Sequence, residues 1–176
     1  MSLETASRAP LTFTRHVPPG AYRLLAAIVL ALALTFASDV FPTWGNLLNV
    51  LRQTALLFLI ASGLTLVILT AGLDLSVGAN VALSACLAAS VIKGAGSPWL
   101  GVLVGVGCGS LVGLFNGTLV TLLRIPSFIA TYGTMWILTG ITYYYMGGET
   151  IHGFPPGFRQ FGNGYLFGIP IPVDVM

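Results

Sequence analysis

The chain has 176 residues, of which 56% are hydrophobic and only 7% are charged, and its mean hydropathy is +0.92. Soluble domains carry about 25% charged residues, so this composition excludes a water-soluble globular domain and indicates a surface that faces the lipid bilayer. The net charge of +2 comes from scattered residues that form no basic patch, and it gives no indication of a nucleic-acid partner.

The N-terminal region, residues 1–20, is polar and is predicted to form a cytoplasmic tail. Arg8, Arg15 and Arg23 precede an apolar run from Leu24 to Ala37. This order resembles a signal peptide, but an uncleaved first helix is favoured because further apolar segments follow. The three arginines place the N-terminus in the cytoplasm by the positive-inside rule.

Five apolar segments are long enough to span a bilayer, which takes about 20 helical residues. They run over about Tyr22 to Phe41, Gln53 to Ala71, Ser76 to Ile92, Pro98 to Leu123, and Pro126 to Met146. A sixth run, residues 169–176, begins in the same way. The predicted fold is therefore all-α, a polytopic integral membrane protein with about five transmembrane helices plus the start of a sixth.

The second and third segments are separated by an acidic residue, Asp74, the single charge between Thr54 and Ile92. A charge at the bilayer centre costs about 2.5–3.5 kcal/mol even on lenient scales. Asp74 avoids that cost by capping a helix that begins near Ser76, by facing a watery cavity, or by pairing with a basic residue. The neighbouring sequence favours capping, since Asp74 and Ser76 are both capping residue types. A direct role in transport stays open.

The fourth segment has a glycine at every fourth position. Residues four apart drift slowly round a helix of 3.6 residues per turn, so the glycines form a groove along one side. Close backbone contact favours helix association in lipid, and the groove predicts a packing face, within the subunit or at a dimer seam. Its residues are Gly101, Gly105, Gly109, Gly113 and Gly117.

Four further polar side chains lie within the apolar segments: Asn80, Asn116, Thr131 and Thr134. Each is interpreted first as a hydrogen-bonding partner for a neighbouring helix. Thr131 and Thr134 lie three residues apart and so share one helix face. With Asp74 and Ser76, the four are candidates to line a path for a hydroxylated solute.

The stretch from 147 to 168 is rich in glycine and aromatic residues and is too polar to span. We interpret it as a structured external loop that contacts sugar or a protein partner. His152, Glu149 and Arg159 are interpreted as surface residues of this loop.

No catalytic residue and no metal site are predicted. Cys86 and Cys108 lie in apolar runs and are interpreted as small apolar side chains. The chain has no GxxxxGK[ST] sequence, so it does not bind ATP through such a loop. A proton relay needs more than one buried acid, and only Asp74 qualifies. If the protein is a transporter, another subunit is expected to supply the energy.

Three stretches together carry a family resemblance: NLLNVLRQTA (46–55), GLTLVILTAGLDLSVGANVAL (63–83) and GLFNGTLVTLLRIPSFIATYGTMWILTGI (113–141). In this order they resemble the permease subunit of bacterial ribose-type sugar ABC importers. The stretch GNGYLFGIPIPV (162–173) also resembles the segment that leads into the next helix. The resemblance makes residues 21–176 a transmembrane permease domain that looks incomplete at its C-terminus, the N-terminal half only.

The resemblance implies a multi-pass subunit of the bacterial inner membrane that forms the path for ribose or a related monosaccharide. A second permease subunit, as a homodimer, a cytoplasmic ABC ATPase that binds the ATP, and a periplasmic sugar-binding protein are the implied partners. The chain departs from the family pattern at Ala71, where a glycine is usual, and at Tyr132, where leucine is usual. Two alternatives stay open: a stand-alone membrane carrier or channel, and a non-transporting remnant or interaction protein.

Overall fold

Helices make up nearly all of the structure, a computed structural model that describes residues 19–166 and 168–174. The elements in chain order are α1 (Pro19–Ala37), α2 (Trp44–Leu69), α3 (Val77–Ala95), α4 (Pro98–Thr121), α5 (Ser127–Met146), α6 (Pro156–Asn163), β1 (Tyr165–Leu166), β2 (Ile169–Pro170) and α7 (Ile171–Asp174). Strands β1 and β2 form a short antiparallel hairpin. The predicted all-α fold class is confirmed.

The chain divides into two compact units, the first ending at Leu47 and the second starting at Leu48. The first unit contains α1 and the start of α2. Of the predicted N-terminal tail, residues 1–18 lie outside the described residues. Helix α1 ends at Ala37, earlier than the predicted Phe41.

Helix α2 begins at Trp44, well before the predicted Gln53. The prediction treated residues 41–46 as a break because of the proline and glycine there. In the structure Thr43 directly precedes the helix and binds its first turn. Its hydroxyl accepts a hydrogen bond from the Asn46 N–H at 3.3 Å, and its carbonyl accepts one from Leu47 at 3.0 Å. These bonds supply partners for the first turn, where backbone N–H groups otherwise lack them.

The second unit is centred on α3, which packs most extensively against α4 and next against α5. Helix α3 is followed by Gly96 in the left-handed conformation, which ends it. Helix α4 begins at Pro98, and the hydroxyl of the preceding Ser97 caps it by accepting the Leu100 N–H. The sixth apolar run forms β2 and the single turn α7 within the described residues, not a continuous helix. Val175 and Met176 lie outside them.

Four described helices, α1 to α4, are both long enough and apolar enough to cross a membrane by length and composition. Helix α5 has 20 residues, but its four threonines and four tyrosines make it less apolar. The described structure therefore has the five membrane-length helices that the sequence predicts, but α5 is less apolar than the other four.

Large apolar side chains are exposed along all of these helices, among them Leu66, Leu103 and Leu114 at 68% exposure. Few apolar side chains are buried in the described part of the chain, with Ala55 and Ile92, at 1% exposure, among the most enclosed. Soluble monomers rarely expose continuous apolar patches above a few hundred Å². A surface of this kind faces lipid, and the polytopic membrane class is confirmed.

Candidate functional site

The connection between α2 and α3 forms one part of a polar junction, which we define as residues 70–76 and 124–127 together with Asn116, Thr131 and Thr134. Helix α2 ends when Ala71 takes a left-handed backbone angle, with φ of +56°. The Thr70 and Gly72 N–H groups both donate to the Val67 carbonyl at 3.1 Å. The chain then runs without regular structure to Ser76.

Asp74 is bound to Ser76 at the start of α3. Its Oδ1 accepts hydrogen bonds from the Ser76 N–H at 2.8 Å and from the Ser76 hydroxyl at 2.6 Å. Ser76 occupies the N-cap position, yet its side chain makes no capping bond. The sequence prediction of a capping role for Ser76 is therefore wrong, because its hydroxyl is held by other side chains.

The first two turns of α5 bind the backbone of the α2–α3 connection. The Leu73 N–H donates to the Ser127 hydroxyl at 3.1 Å, and the Leu75 N–H donates to the Thr131 hydroxyl at 3.1 Å. The Thr131 oxygen also lies 3.1 Å from the Leu73 carbonyl and 2.8 Å from the Ser127 carbonyl. Thr131 and Ser127 thus supply partners for an irregular backbone, which an apolar environment otherwise penalises.

A chain of side-chain hydrogen bonds joins α3, α4 and α5. The Asn116 Nδ2 donates to the Ser76 hydroxyl at 2.8 Å, and the Thr134 hydroxyl donates to the Asn116 Oδ1 at 2.7 Å. The three side chains are buried, with exposures of 0% for Ser76, 6% for Asn116 and 2% for Thr134. Five predicted site residues therefore lie together: Asp74, Ser76, Asn116, Thr131 and Thr134.

Asn80 is a predicted site residue that lies outside this group of five. Its Nδ2 donates to the Gly109 carbonyl on α4 at 3.3 Å, and its Oδ1 accepts from the Ser84 hydroxyl at 3.2 Å. Asn80 therefore links α3 to α4 one turn beyond Ser76.

The predicted glycine face on α4 is in contact with α3 over only part of its length. A Cβ on Gly101 would overlap Ile92, and a Cβ on Gly105 would lie 3.3 Å from the Ala88 Cβ. A Cβ on Gly109 would make ordinary contact with Ser84 at 3.6 Å, whereas Gly113 and Gly117 have nothing within 4 Å. The last two glycines lie beside a cleft.

That cleft, which we call the junction cleft, has a volume of about 280 Å³ and lies among α2, α4, α5 and the α2–α3 connection. Its polar lining residues are Thr70, Asp74, Asn116, Thr121, Ser127 and Thr131. A second cleft of about 400 Å³ lies between α2 and α3 and is apolar except for Asp74. Asp74 is thus common to both clefts.

The opposite end of the second unit carries the hairpin and α6. The Arg52 guanidinium of α2 lies 5.2 Å from the Tyr165 ring centroid and donates to the Asn163 carbonyl at 3.4 Å. This contact places the start of α2 and the hairpin at the same end. His152, Glu149 and Arg159 are exposed there.

Sequence reasoning missed Ser127 and Arg52. Ser127 follows Pro126 at the start of a helix, and a hydroxyl residue at such a start was the signal that could have found it. Arg52 gave no comparable signal, because its contacts with Asn163 and Tyr165 lie more than a hundred positions away along the chain.

Within the described residues no group of three or more His, Cys, Asp and Glu side chains could hold a metal ion. Cys86 and Cys108 are free thiols of intermediate exposure. The arrangement at the junction offers hydroxyls, an amide and one carboxylate, which suits hydrogen bonding to a solute.

The fold and the junction together define a polytopic α-helical membrane protein with a polar cleft beside a broken helix connection. The profile of the family described as branched-chain amino acid transport system / permease component matches residues 46–161. The chain belongs to this permease family.

Curated relatives from this family are sugar permeases. The chain is 42% identical to the ribose import permease protein of Bacillus subtilis (strain 168) over 154 residues, which cover 86% of this chain and 48% of the relative. It is 32% identical to the D-allose transport system permease protein of Escherichia coli (strain K12) over 171 residues, covering 97% of the chain and 52% of the relative.

A third relative, the galactose/methyl galactoside import permease protein of Escherichia coli (strain K12), is 31% identical over 170 residues, covering 88% of the chain and 50% of the relative. The resemblance to ribose-type sugar permeases is confirmed. The chain spans about half the length of the curated relatives it matches. No solved structure matches the chain.

Proposed function

We propose that the chain is a membrane-spanning permease subunit of a binding-protein-dependent ABC importer and lines part of the path for a monosaccharide such as ribose. The family membership supports a permease, and the relatives named above support a sugar. The candidate path residues are the five junction side chains, with Asn80 one turn away. This chain supplies no ATPase chemistry in the proposal.

The polar groups that line the junction cleft indicate which kind of solute it binds. Its polar groups are four hydroxyls, one amide and one carboxylate, and no basic residue is among the lining residues. An amino acid presents a carboxylate that a site would pair with Arg or Lys, as anionic groups in proteins usually are. A neutral, hydroxylated solute needs no such partner, so the cleft favours a sugar over a branched-chain amino acid.

The proposed assembly contains a second copy of the permease, a cytoplasmic ABC ATPase and a periplasmic sugar-binding protein, in the bacterial inner membrane. The orientation follows from the arginines at the N-terminus, which favour a cytoplasmic location by the positive-inside rule. This orientation puts the junction toward the cytoplasm and the hairpin toward the periplasm.

Uptake of radiolabelled solutes tests this function. The gene is deleted from its native host, and uptake of D-ribose, D-galactose, D-allose and L-leucine is measured with and without complementation by the native reading frame. We expect complementation to restore the uptake of one of the sugars and to leave leucine uptake unchanged. Restored leucine uptake with unchanged sugar uptake would contradict the sugar assignment.

A further inference from the structure

The hydrogen bonds to Asp74 all reach one of its two carboxylate oxygens. Oδ1 accepts both the backbone N–H and the hydroxyl of Ser76. Within residues 19–166 and 168–174, Oδ2 has no protein hydrogen-bond donor. Asp74 is only partly buried, and it lines the junction cleft. One carboxylate oxygen is therefore fixed by the protein while the other is available to a solute.

The chain of bonds that fixes Oδ1 runs in one direction. The Thr134 hydroxyl lies 2.7 Å from the Asn116 Oδ1 and 3.0 Å from the Ala130 carbonyl oxygen, and it donates across the shorter distance to Asn116. Asn116 then donates through Nδ2 to Ser76, and Ser76 donates its own proton to Asp74. Each donor is directed toward the carboxylate.

Reversing the Asn116 amide breaks this pattern. Its oxygen would then take the Ser76 proton, and the 2.6 Å contact between Ser76 and Asp74 would lose its donor. Asn116 uses one of its two amide N–H groups for Ser76 and one lone pair of its amide oxygen for Thr134.

The rest of the cleft offers mostly acceptors. Thr70 donates its proton to the Val67 carbonyl and Thr121 donates its proton to the Gly117 carbonyl, each at 2.7 Å. Both hydroxyl oxygens keep lone pairs that can accept hydrogen bonds. With the free Asp74 oxygen, they form an acceptor-rich wall that matches a solute with several hydroxyl donors.

We propose that the free Oδ2 of Asp74 accepts a hydroxyl of the solute in the junction cleft, and that Asn116 and Thr134 are positioning residues that orient Asp74 through Ser76. This assignment rests on the proposed function and makes it more specific. A volume of about 280 Å³ lies at the lower end of small-molecule sites, so the solute is a single monosaccharide, not an oligosaccharide.

The direct test pairs a protein change with a ligand change. Uptake of D-ribose and of its monodeoxy analogues is measured as the half-saturation concentration in the deletion host carrying the native reading frame or its Asp74→Asn variant. Hydrogen bonds to charged groups contribute about 1.5–3 kcal/mol, so Asp74→Asn is expected to raise the half-saturation concentration for D-ribose by about tenfold or more. One analogue, lacking the hydroxyl that Asp74 binds, should show no further loss in the variant.

The outcomes separate this inference from the proposed function. If the unaltered protein restores no uptake of D-ribose or another sugar, the proposed function is wrong. If it restores sugar uptake but Asp74→Asn raises the half-saturation concentration equally for D-ribose and every analogue, or raises none of them, the hydroxyl assignment is overturned. Replacing sodium by choline should change nothing, and a sodium requirement that disappears in Asp74→Asn would instead assign the oxygen to a cation.

The positioning role is tested with isosteric threonine variants. Thr134→Val removes the donor to Asn116 and should raise the half-saturation concentration for D-ribose by about threefold, within the range of one net hydrogen bond. It should also reduce the preference for D-ribose over the analogue that lacks the bound hydroxyl. Thr134→Ser should restore both quantities. The matched control is Thr139→Val on the same helix, since the Thr139 hydroxyl bonds only to the Met135 carbonyl, and it should leave both unchanged.

A second measurement does not depend on transport. Membranes are treated with a carboxyl-reactive carbodiimide, and modification of Asp74 is followed by peptide mass spectrometry with and without D-ribose. We expect modification that D-ribose slows and that L-leucine does not. Modification of Asp74 at the same rate with and without D-ribose, in membranes that take up the sugar, would contradict the contact.

Discussion

The two ends of the α3–α4 contact are held in different ways. At the end near the α3–α4 turn, Gly101 allows Ile92 and the Ala88 carbonyl to approach the α4 backbone, and Ile92 is only 1% exposed. At the junction end, Ser76 and Asn116 form a hydrogen bond, and Gly113 and Gly117 face open space. One glycine series therefore serves close packing at one end and leaves room for a cleft at the other.

This difference has a physical basis in the membrane. Lipid offers no hydrophobic gain for packing helices together, so contact between small residues and interhelical hydrogen bonds do the work. Close packing is rigid and leaves no space for solute. Hydrogen bonds between side chains hold the helices at a greater separation and leave polar atoms at the surface of the cleft.

The first prediction concerns the close-packed end and has the largest expected effect. Gly101→Ala places a Cβ against Ile92 Cγ1, 2.7 Å from Ile92 Cδ1 and 2.8 Å from the Ala88 carbonyl oxygen. Overpacking of this kind costs about 1–3 kcal/mol, and we expect a loss near 3 kcal/mol because a backbone oxygen cannot move aside easily. The measurement is unfolding by sodium dodecyl sulfate in mixed micelles, followed by circular dichroism.

The controls for this prediction lie on the same helix. Gly107→Ala and Gly113→Ala meet nothing within 4 Å and should stabilise the protein by up to about 1 kcal/mol, the difference in helix propensity between alanine and glycine. Gly105→Ala, at 3.3 Å from the Ala88 Cβ, should lie between them. A uniform effect of these four alanine substitutions would show that the contact does not change along α4.

The second prediction concerns the junction end. Asn116→Leu removes two buried hydrogen bonds, the one donated to Ser76 and the one accepted from Thr134, so that Ser76 keeps its bond to Asp74 and Thr134 keeps its bond to the Ala130 carbonyl. A net hydrogen bond contributes about 1 kcal/mol, so we expect a loss of about 2 kcal/mol in the same unfolding measurement. Asn80→Leu is the matched change, and because its bond to Gly109 is longer, at 3.3 Å, it should cost about 0.6 kcal/mol, the mean for interhelical bonds in membranes. Equal losses would contradict the special role of Asn116.

The sequence predicted much of this arrangement, for reasons that differ between the two ends. The helices followed from apolar length, and the glycine series followed from its spacing. The spacing could not show where the series leaves α3, because that depends on the axial position and tilt of two helices. The sequence singled out the side chains of Asp74 and Ser76 but could not give their bond to α4, since the partner Asn116 lies 40 positions away.

The α2 start was placed wrongly for a related reason. Proline and glycine near Thr43 indicate a break, but they do not tell how short it is. The bonds from Asn46 and Leu47 to Thr43 decide the length. Local composition therefore located the break and tertiary structure set its extent.

The third prediction uses the backbone strain at the junction. Ala71 has φ of +56°, a left-handed conformation that costs a residue with a Cβ about 1–2 kcal/mol. Ala71→Gly removes this cost but adds the entropy loss of a glycine, so a net stabilisation of about 1 kcal/mol is expected. The control Ala85→Gly, in the exposed interior of α3, should destabilise by about 1 kcal/mol. Destabilisation by both changes would show that Ala71 is not strained.

The fourth prediction is the smallest and concerns the hairpin end, beyond both ends of the α3–α4 contact. Arg52→Lys keeps a positive charge near the Tyr165 ring but loses the planar group that donates to the Asn163 carbonyl. Arg52→Leu loses both, and exposed cation–π contacts contribute about 0.5–1 kcal/mol. We therefore expect Arg52→Lys to reduce stability by less than Arg52→Leu, with about 0.5 kcal/mol between them.

Limited proteolysis from outside the membrane is the measurement for Arg52, because α6 and the hairpin are the segments that lose their attachment to α2. Cleavage between residues 147 and 170 should become faster in Arg52→Leu and change less in Arg52→Lys. Arg159→Leu is the control, since Arg159 is exposed on α6 and lines a separate shallow cleft. If all three variants are cleaved at the rate of the unaltered protein, Arg52 does not hold the hairpin, and the contact contributes nothing to the order of this end.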